Sequence, residues 1–543
     1  MMKKVIKKLL AALLAVAMLC AMAIPAFAYN PGETEEDLNT KHDYGAFQIF
    51  TGDVSDDNTT ISNVGWGESI PHPEDFLEKL TEDLTIGNQF SNAKTAQDVL
   101  MVISTWDDSD DDSIAFARFV CKYLYPTADA KPKPDDTGHT GGFEIRKPGY
   151  YLIVDISPFH EDDFYHAYNS FLLKVTKAPY HVIIKHKVVK PTVEKKVYDN
   201  DNNDISSAGG WGSSADHAIN EKFQFQLIAK LPASKDNGRA YDYYDKYTVC
   251  FNDTLSAGIT FDNLDTVKIA NVDGGDSKEI TNYKFDDTDL HEAGHPTSFK
   301  LSIDNVKTCA AAAGLNLNDG ATITVTYTAH LNDKATVNTA NGSNTTDNKN
   351  SVFLQYSNNP RIDTSLDHTT TNEVCVYTYQ LNNTKYRDEV NENNKLEGAG
   401  FRLYSDEACT DQSEVQLYQK DGFYYPIKDA LGKEAVEMKS AANGTFNVKG
   451  LDAGTYYLKE TTPPAGYSAC KVIPVTIKAD HSRNDQVNLE GSNLTNDIVN
   501  IKAGGITLPS TGGIGTTLFY VVGGGLMVAA IVLLVTKKRM ENK

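Results

Sequence analysis

Three stretches of this 543-residue chain hold residue types and spacings that could do chemistry. The first is His291-Glu292-Ala293-Gly294-His295, which has the spacing of a zinc-hydrolase signature. That chemistry needs both histidines on one face of a continuous helix, with the glutamate beside a metal-bound water. Gly294 inside the string, Pro296 directly after it and the loop-like Phe285-Asp286-Asp287-Thr288-Asp289 before it all oppose a helix. Ser298 also stands where a third-histidine extension would want glycine, so a solvent loop without metal is expected. The second stretch is the acidic run Asp107-Asp108-Ser109-Asp110-Asp111-Asp112. A calcium loop opening at Asp108 needs glycine and then glutamate where Ser113 and Phe119 stand, so this run reads as a solvated loop capping the next helix. The third is Asp253. Alternation along Tyr247-Thr248-Val249-Cys250-Phe251-Asn252-Asp253 puts its carboxyl on the same face as Tyr247, Val249 and Phe251. An acid facing a core must be paired or held protonated, and a protonated acid can polarise a neighbouring carbonyl.

Such groups need folded elements to hold them. Hydrophobic residues make up 41% of the chain, with 28 Tyr, and the length implies about three or four domains. The net charge of -22 argues against nucleic acid as a partner and fits a soluble surface outside the cell. From Tyr29 to Lys177 the pattern is mixed. Strands are expected at Gly45–Phe50, Gly149–Val154 and Ser170–Val175, and amphipathic helices at Pro73–Glu82, Ala93–Thr105 and Asp112–Tyr123. From Pro191 onward the pattern is all-β. Lys222–Leu231 alternates with Phe223, Phe225, Leu227 and Ala229 on one face, and Ala321–Ala329 alternates likewise. The first strand of this region is Thr192–Val197 and the last is Asn350–Tyr356. A third all-β region opens with Val374–Lys385 and runs to about Lys502. The fold class is therefore mainly β, an α+β domain followed by two sandwiches in tandem.

The ends of the chain address it. Four lysines within Met1–Lys8, an apolar run from Leu9 to Ile24 and Ala26-Phe27-Ala28 form a signal peptide cleaved after Ala28. At the other end an apolar span from about Leu518 to Val535 is long enough to cross a bilayer, and Lys537-Lys538-Arg539 follow it as a basic stop. Cys121, Cys250, Cys309, Cys375, Cys409 and Cys470 remain after cleavage. Export permits disulfides, and pairs within one region, Cys250 with Cys309 and Cys409 with Cys470, are the expectation.

Just before the apolar span stands Leu508-Pro509-Ser510-Thr511-Gly512-Gly513. With the span and basic tail it resembles the LPxTG sorting signal of Gram-positive surface proteins. The resemblance implies that a membrane sortase cuts between Thr511 and Gly512, holds the Thr511 carbonyl as a thioester and passes it to an amine. Ala46-Phe47-Gln48-Ile49-Phe50 and Gly149-Tyr150-Tyr151-Leu152-Ile153 resemble the N-terminal domain of Gram-positive major pilins. In that family a lysine at the end of this domain accepts the carbonyl. The basic connector His181–Pro191 implies Lys185, within Ile184-Lys185-His186, with Lys187 and Lys190 as alternatives.

The pair Thr192–Val197 and Asn350–Tyr356 resembles the pilin domain closed by an intramolecular Lys–Asn isopeptide bond, which implies Lys195 as nucleophile, Asn350 as electrophile and Asp253 as the acid. Leu396-Glu397-Gly398-Ala399-Gly400-Phe401 and Tyr456–Tyr467 resemble the motifs of the collagen-adhesin B-type Ig-like domain, the second carrying its E-box. They imply Lys385, Glu460 and Asn500 in the same roles. The implied division is signal peptide 1–28, N-terminal domain 29–180, connector 181–190, isopeptide-forming Ig-like domain 191–362, B-type Ig-like domain 363–503, sorting motif 504–513, transmembrane helix 518–536 and cytoplasmic tail 537–543.

The resemblance implies a major pilin, a structural subunit and not an enzyme, with no cofactor. It would be polymerised by a class C sortase and fixed to peptidoglycan by a housekeeping sortase. Further copies of itself, minor pilins and host surface ligands are the implied partners, on the surface of a Gram-positive cell. A minor ancillary pilin or a monomeric wall-anchored adhesin is the alternative; it would lack a working acceptor lysine and carry a dedicated ligand-binding domain.

Overall fold

The computed structural model describes residues 43–56, 61–106, 111–127, 130–139, 143–157, 170–182, 190–200, 210–232, 244–272, 277–291, 295–318, 320–339, 345–483 and 486–503. The chain is mainly β. In its first unit the antiparallel sheet runs β2-β1-β3-β4, from β1 (Asp43–Val54), β2 (Ile61–Trp66), β3 (Gly149–Asp155) and β4 (Ser170–Val175). Alternation divides the sheet. Phe47, Ile49, Leu152 and Val154 meet Phe76, Leu80, Val99 and Phe116 from three helices, while Tyr44, Ala46, Tyr151 and Ile153 form a separate cluster behind. The helices are α1 (Pro73–Glu82), α2 (Ala96–Ile103) and α3 (Asp111–Leu124). The second starts later than its apolar spacing predicts. Thr95 and Asp98 form a capping box, in which Asp98 N–H donates to Thr95 Oγ1 at 3.2 Å and Thr95 N–H to Asp98 Oδ2 at 2.9 Å.

The second unit is a sandwich. One sheet contains β5 (Thr192–Asp199), β7 (Lys222–Lys230), β9 (Ile259–Ala270) and β11 (Thr322–Leu331), in the order β9-β11-β7-β5 with a short strand at each edge. The other contains β6 (Ser214–Asp216), β8 (Val249–Leu255), β10 (Thr297–Ile303), β12 (Lys349–Ser357) and β13 (Asn372–Tyr377), in the order β6-β13-β12-β8-β10. The third unit packs β14 (Tyr379–Arg387), β16 (Val448–Leu451) and β20 (Thr495–Asn500) against β15 (Gly400–Tyr404), β17 (Gly454–Thr462) and β18 (Ile473–Ile477). Its strand β19 (Asp480–Arg483) follows.

Val374–Lys385, the stretch expected to open the third region, divides between two strands. Residues Asn372–Tyr377 hydrogen-bond into the second unit's sheet, and Tyr379–Arg387 into the third's. Thr378 lies between them, fully buried, with its hydroxyl donated to Leu451 O at 3.1 Å. The two sandwiches consequently share packing: Tyr418, Tyr425 and Ile427 of the third unit belong to the second unit's core.

Two expectations need correction or limits. The described cysteines are all free thiols. Cys309 Sγ faces Asn282 O at 3.5 Å, while Cys250 Sγ takes the Ser302 hydroxyl at 3.0 Å, so the two thiols serve different neighbours and the proposed pairs do not form. His291 closes a single 3-10 turn, Thr288–His291, and β10 begins at Thr297, so no helix crosses the HExxH string among the described residues. Nor is any described helix long and apolar enough to cross a membrane; the apolar span 518–536 lies outside the described residues, as do the signal peptide and Asp107–Asp110.

The joint between the sandwiches is tight at Gly450. Its φ is +83°, and an added Cβ would lie 2.6 Å from Ile219 Cγ1, whose own backbone N–H donates to Gly450 O at 2.9 Å. Gly450→Ala should therefore lower stability by about 2 kcal/mol through strain and overpacking. A denaturant titration measures this, and an unchanged midpoint would contradict the packing described.

Candidate functional site: two buried lysine clusters

Alternation places the second unit's lysine. β5 buries Lys195, Val197 and Asp199 and turns Glu194 and Tyr198 to solvent. Antiparallel pairing sets Lys195 opposite Leu227 on β7. Asp253 projects from β8, and Asn350 from the neighbouring β12, where it pairs with Leu255. All three side chains are at most 1% exposed. Lys195 Nζ donates to Asp253 Oδ2 and, at 3.1 Å, to the Tyr327 hydroxyl. That hydroxyl in turn donates to Asp253 Oδ1 at 3.0 Å and accepts from Asn350 Nδ2 at 2.5 Å. Phe225, Phe261 and Phe299 pack on the Tyr327 ring and keep water out.

Burial in this aromatic box pushes Lys195 down from 10.5 to about 8, against the pull of the Asp253 carboxylate. It also pushes the Asp253 carboxyl up, against the opposing effect of Lys195. Both shifts favour the neutral pair, an amine with a lone pair beside a protonated acid. That is the state in which an amine can attack an amide carbon while an acid polarises its oxygen.

The third unit arranges the same three groups differently. Its first and last strands, β14 and β20, lie side by side and parallel, with Arg387 opposite Asn500. Lys385 Nζ donates to Asn500 Oδ1 at 2.5 Å and lies 3.6 Å from Glu460 Oε1. Asn500 Nδ2 donates to Glu460 Oε1 at 2.7 Å, and the Cys470 N–H holds the other Glu460 oxygen at 2.7 Å. Burial lowers the Lys385 pKa below its usual value, and Phe401 covers the amine, 5.2 Å from ring centre to Nζ. The polar Asn383 on the same buried face is satisfied: its Nδ2 donates to Phe446 O at 3.1 Å, and its Oδ1 accepts from Asn496 Nδ2 at 3.0 Å.

The structure thus brings Lys195 onto Asp253, links Asn350 to both through Tyr327, and sets Lys385, Glu460 and Asn500 in mutual contact. Tyr327 is the member that sequence reasoning missed. The signal was present: alternation in Ala321–Ala329 turns this phenol inward, and a buried hydroxyl needs a partner. Of the proposed acceptor lysines, Lys190 precedes β5 at intermediate exposure. Lys185, Lys187 and the whole of Leu508, Pro509, Ser510, Thr511 and Gly512 lie outside the described residues.

Comparison with known families bears on both ends of the third unit. Residues 384–492 match the SpaA prealbumin-like fold domain, and residues 500–542 match the LPXTG cell wall anchor motif. The chain therefore carries a SpaA-type domain next to a wall anchor, the arrangement of a cell-wall-anchored Gram-positive surface protein. Among solved structures it is similar to the T6 backbone pilin of Streptococcus pyogenes, at 17% identity over 86% of this chain and 97% of that one, with a TM-score of 0.44. The major pilin SpaA of Corynebacterium diphtheriae shows 15% identity over 85% and 95%, with a TM-score of 0.40. The full-length major pilin SpaD of the same organism shows 18% over 70% and 84%, at 0.41. No curated protein matches the chain.

The lowered Lys195 pKa gives a pH prediction. In Asn350→Ala, which has no electrophile, Lys195 stays an amine. Between about 8 and 10.5 the folded state then binds fewer protons than the unfolded one, so stability rises with pH across that window. Urea midpoints at pH 8 and 9.5 should rise in Asn350→Ala relative to a Lys195→Met, Asn350→Ala double variant. A fall or a flat difference would contradict the burial argument.

Proposed function

We propose that this chain is the repeating subunit of a covalent surface pilus. A class C sortase transfers the Thr511 carbonyl of one copy to a connector lysine of the next, Lys185 with Lys187 and Lys190 as alternatives. A housekeeping sortase finally joins the polymer to peptidoglycan. Within each copy, Lys195 Nζ attacks the side-chain carbonyl carbon of Asn350, and Lys385 that of Asn500. In each case one C–N bond forms, one breaks and ammonia leaves. Asp253 or Glu460 carries the proton between amine and leaving group. This is single-turnover chemistry on the chain itself, so the subunit is a sortase substrate and not an enzyme. The division into domains at 29–180, 191–362 and 363–503 belongs to the same proposal, with β13 lent to the second sandwich.

The observation that carries the reading is the pair of dry lysine clusters, one joining β5 to β12 across the second sandwich and one joining β14 to β20 in the third, in a chain that carries a wall anchor. Strand hydrogen bonds contribute only about 0.5–1.5 kcal/mol each, and pulling along the chain loads the strands near the two ends of each sandwich. An amide between those strands carries the load without relying on them. Adhesion to host ligands is a further role of the assembled fibre.

Wall extracts run on denaturing gels test polymerisation. A ladder of high-molecular-weight species is expected, collapsing to monomer in Thr511→Ala and in the triple variant Lys185→Ala, Lys187→Ala, Lys190→Ala. The single variants name the acceptor. A ladder that survives the triple variant removes the connector from the account, and the absence of any ladder from the unsubstituted chain favours a monomeric wall-anchored adhesin.

A further inference from the structure

The two lysine clusters differ in how each acid reaches the nitrogen that must leave. In the third unit Glu460 Oε1 lies 2.7 Å from Asn500 Nδ2 and 3.6 Å from Lys385 Nζ, so a single carboxyl oxygen faces both nitrogens. In the second unit, among the described residues, Asp253 hydrogen-bonds Lys195 and Tyr327 and not Asn350. Its Oδ2 faces Lys195 Nζ, and its Oδ1 faces the Tyr327 hydroxyl at 3.0 Å. Strand register is the cause. Asp253 pairs with Val352 and Asn350 with Leu255, so the two inward side chains stand on a diagonal of neighbouring strands, about 7–8 Å apart at the backbone.

Tyr327 fills that diagonal from the facing sheet, where its strand β11 pairs with β7 at Phe225. Its hydroxyl touches all three reacting groups, at 3.1 Å from Lys195 Nζ, 3.0 Å from Asp253 Oδ1 and 2.5 Å from Asn350 Nδ2. A hydroxyl has one proton to give and two lone pairs to receive, so these contacts use it completely. Asn350 Oδ1, by contrast, has no hydrogen-bond partner among the described residues. Help to the asparagine therefore arrives at its nitrogen. Burial first, and then the nearby Asp253 charge, push the Tyr327 phenol well above its usual pKa. It stays protonated, and it can pass a proton on only by taking one in.

We propose that Tyr327 is a catalytic residue of the second sandwich, the relay that carries a proton from Asp253 to the departing nitrogen of Asn350. This rests on the amide formation proposed above. Lys195 Nζ attacks the side-chain carbonyl carbon of Asn350 with its lone pair. The Asp253 proton passes from Oδ1 to the Tyr327 oxygen while the phenol's own proton passes to Nδ2. The bond from that carbon to Nδ2 breaks with its electron pair on nitrogen, and ammonia leaves. Nζ then returns one proton to Asp253 through Oδ2. Tyrosine and acid end as they began, with one amide and one ammonia formed. The third sandwich needs no relay, because Glu460 faces both of its nitrogens.

Both links belong to one chain, so the third unit is the internal control. The full-length chain is made by cell-free synthesis and quenched at intervals in denaturant, and its links are followed by intact mass and branched peptides. The unsubstituted chain should lose about 34 Da, two ammonias. Tyr327→Phe should stop at a loss of about 17 Da, with Lys385 joined to Asn500 at the usual rate and the Lys195–Asn350 link at least about a hundredfold slower. 3-Fluorotyrosine at position 327 keeps the hydroxyl and nearly the same volume with a more acidic phenol, and it should speed that link. A Lys195–Asn350 link formed in Tyr327→Phe at the unsubstituted rate overturns the relay and leaves the amide chemistry standing. A slow Tyr327→Phe variant with an unchanged fluorotyrosine rate also overturns it, since the hydroxyl then only holds Asn350 in place. Absence of the link from the unsubstituted chain removes the underlying chemistry and the relay with it. Should Tyr327→Phe fail to fold, the fluorotyrosine rate decides.

Discussion

Everything distinctive about this molecule depends on removing two lysine amines from water. An ammonium in an apolar core is costly, and the cost is relieved by giving up the proton or by placing an acid within reach. Both act on Lys195: burial drives its pKa down to about 8 and so eases loss of the proton, while Asp253 and the Tyr327 hydroxyl stand against Nζ. The same desolvation raises the Asp253 carboxyl. One physical cause therefore prepares nucleophile and acid together, and only the completed sandwich supplies it. The proposed chemistry would be coupled to folding, because an unfolded chain leaves the amine hydrated, protonated and unreactive.

The two sandwiches solve the problem with different geometry. In the third unit first and last strands are parallel neighbours, so lysine, asparagine and glutamate touch directly. In the second, β5 and β12 lie in opposite sheets, and the gap between Lys195 and Asn350 is bridged by the Tyr327 hydroxyl. The joint between the units extends the same economy of movement. A continuous extended segment feeds β13 to one sheet and β14 to the other, and Ile219 closes against Gly450. Only Thr378 separates the two strands, so no slack linker joins the sandwiches there.

Much of this was legible in the sequence, and the reasons are specific. Period-two alternation located β7 and β11 closely and put Asp253 inward, because a buried strand face tolerates little else. The motif around Glu460 set its register within β17. Alternation could not show that Val374–Lys385 divides between two sheets, since both halves share one period and only tertiary pairing separates them. Tyr327 was overlooked because an inward tyrosine in an apolar run reads as bulk until its hydroxyl is given neighbours. The disulfide expectation failed for a related reason: spacing allowed Cys250 and Cys309 to meet, but the fold gives each a separate partner.

The claim that the buried clusters react is tested most directly by the intact mass of the folded chain, followed by tandem mass spectrometry of its proteolytic peptides. The account predicts a mass below the sequence value by about 17 Da for each amide formed, one ammonia per bond. It also predicts branched peptides joining Lys195 to Asn350 and Lys385 to Asn500. A mass equal to that of the unmodified chain, with both lysines recovered in linear peptides, would contradict it.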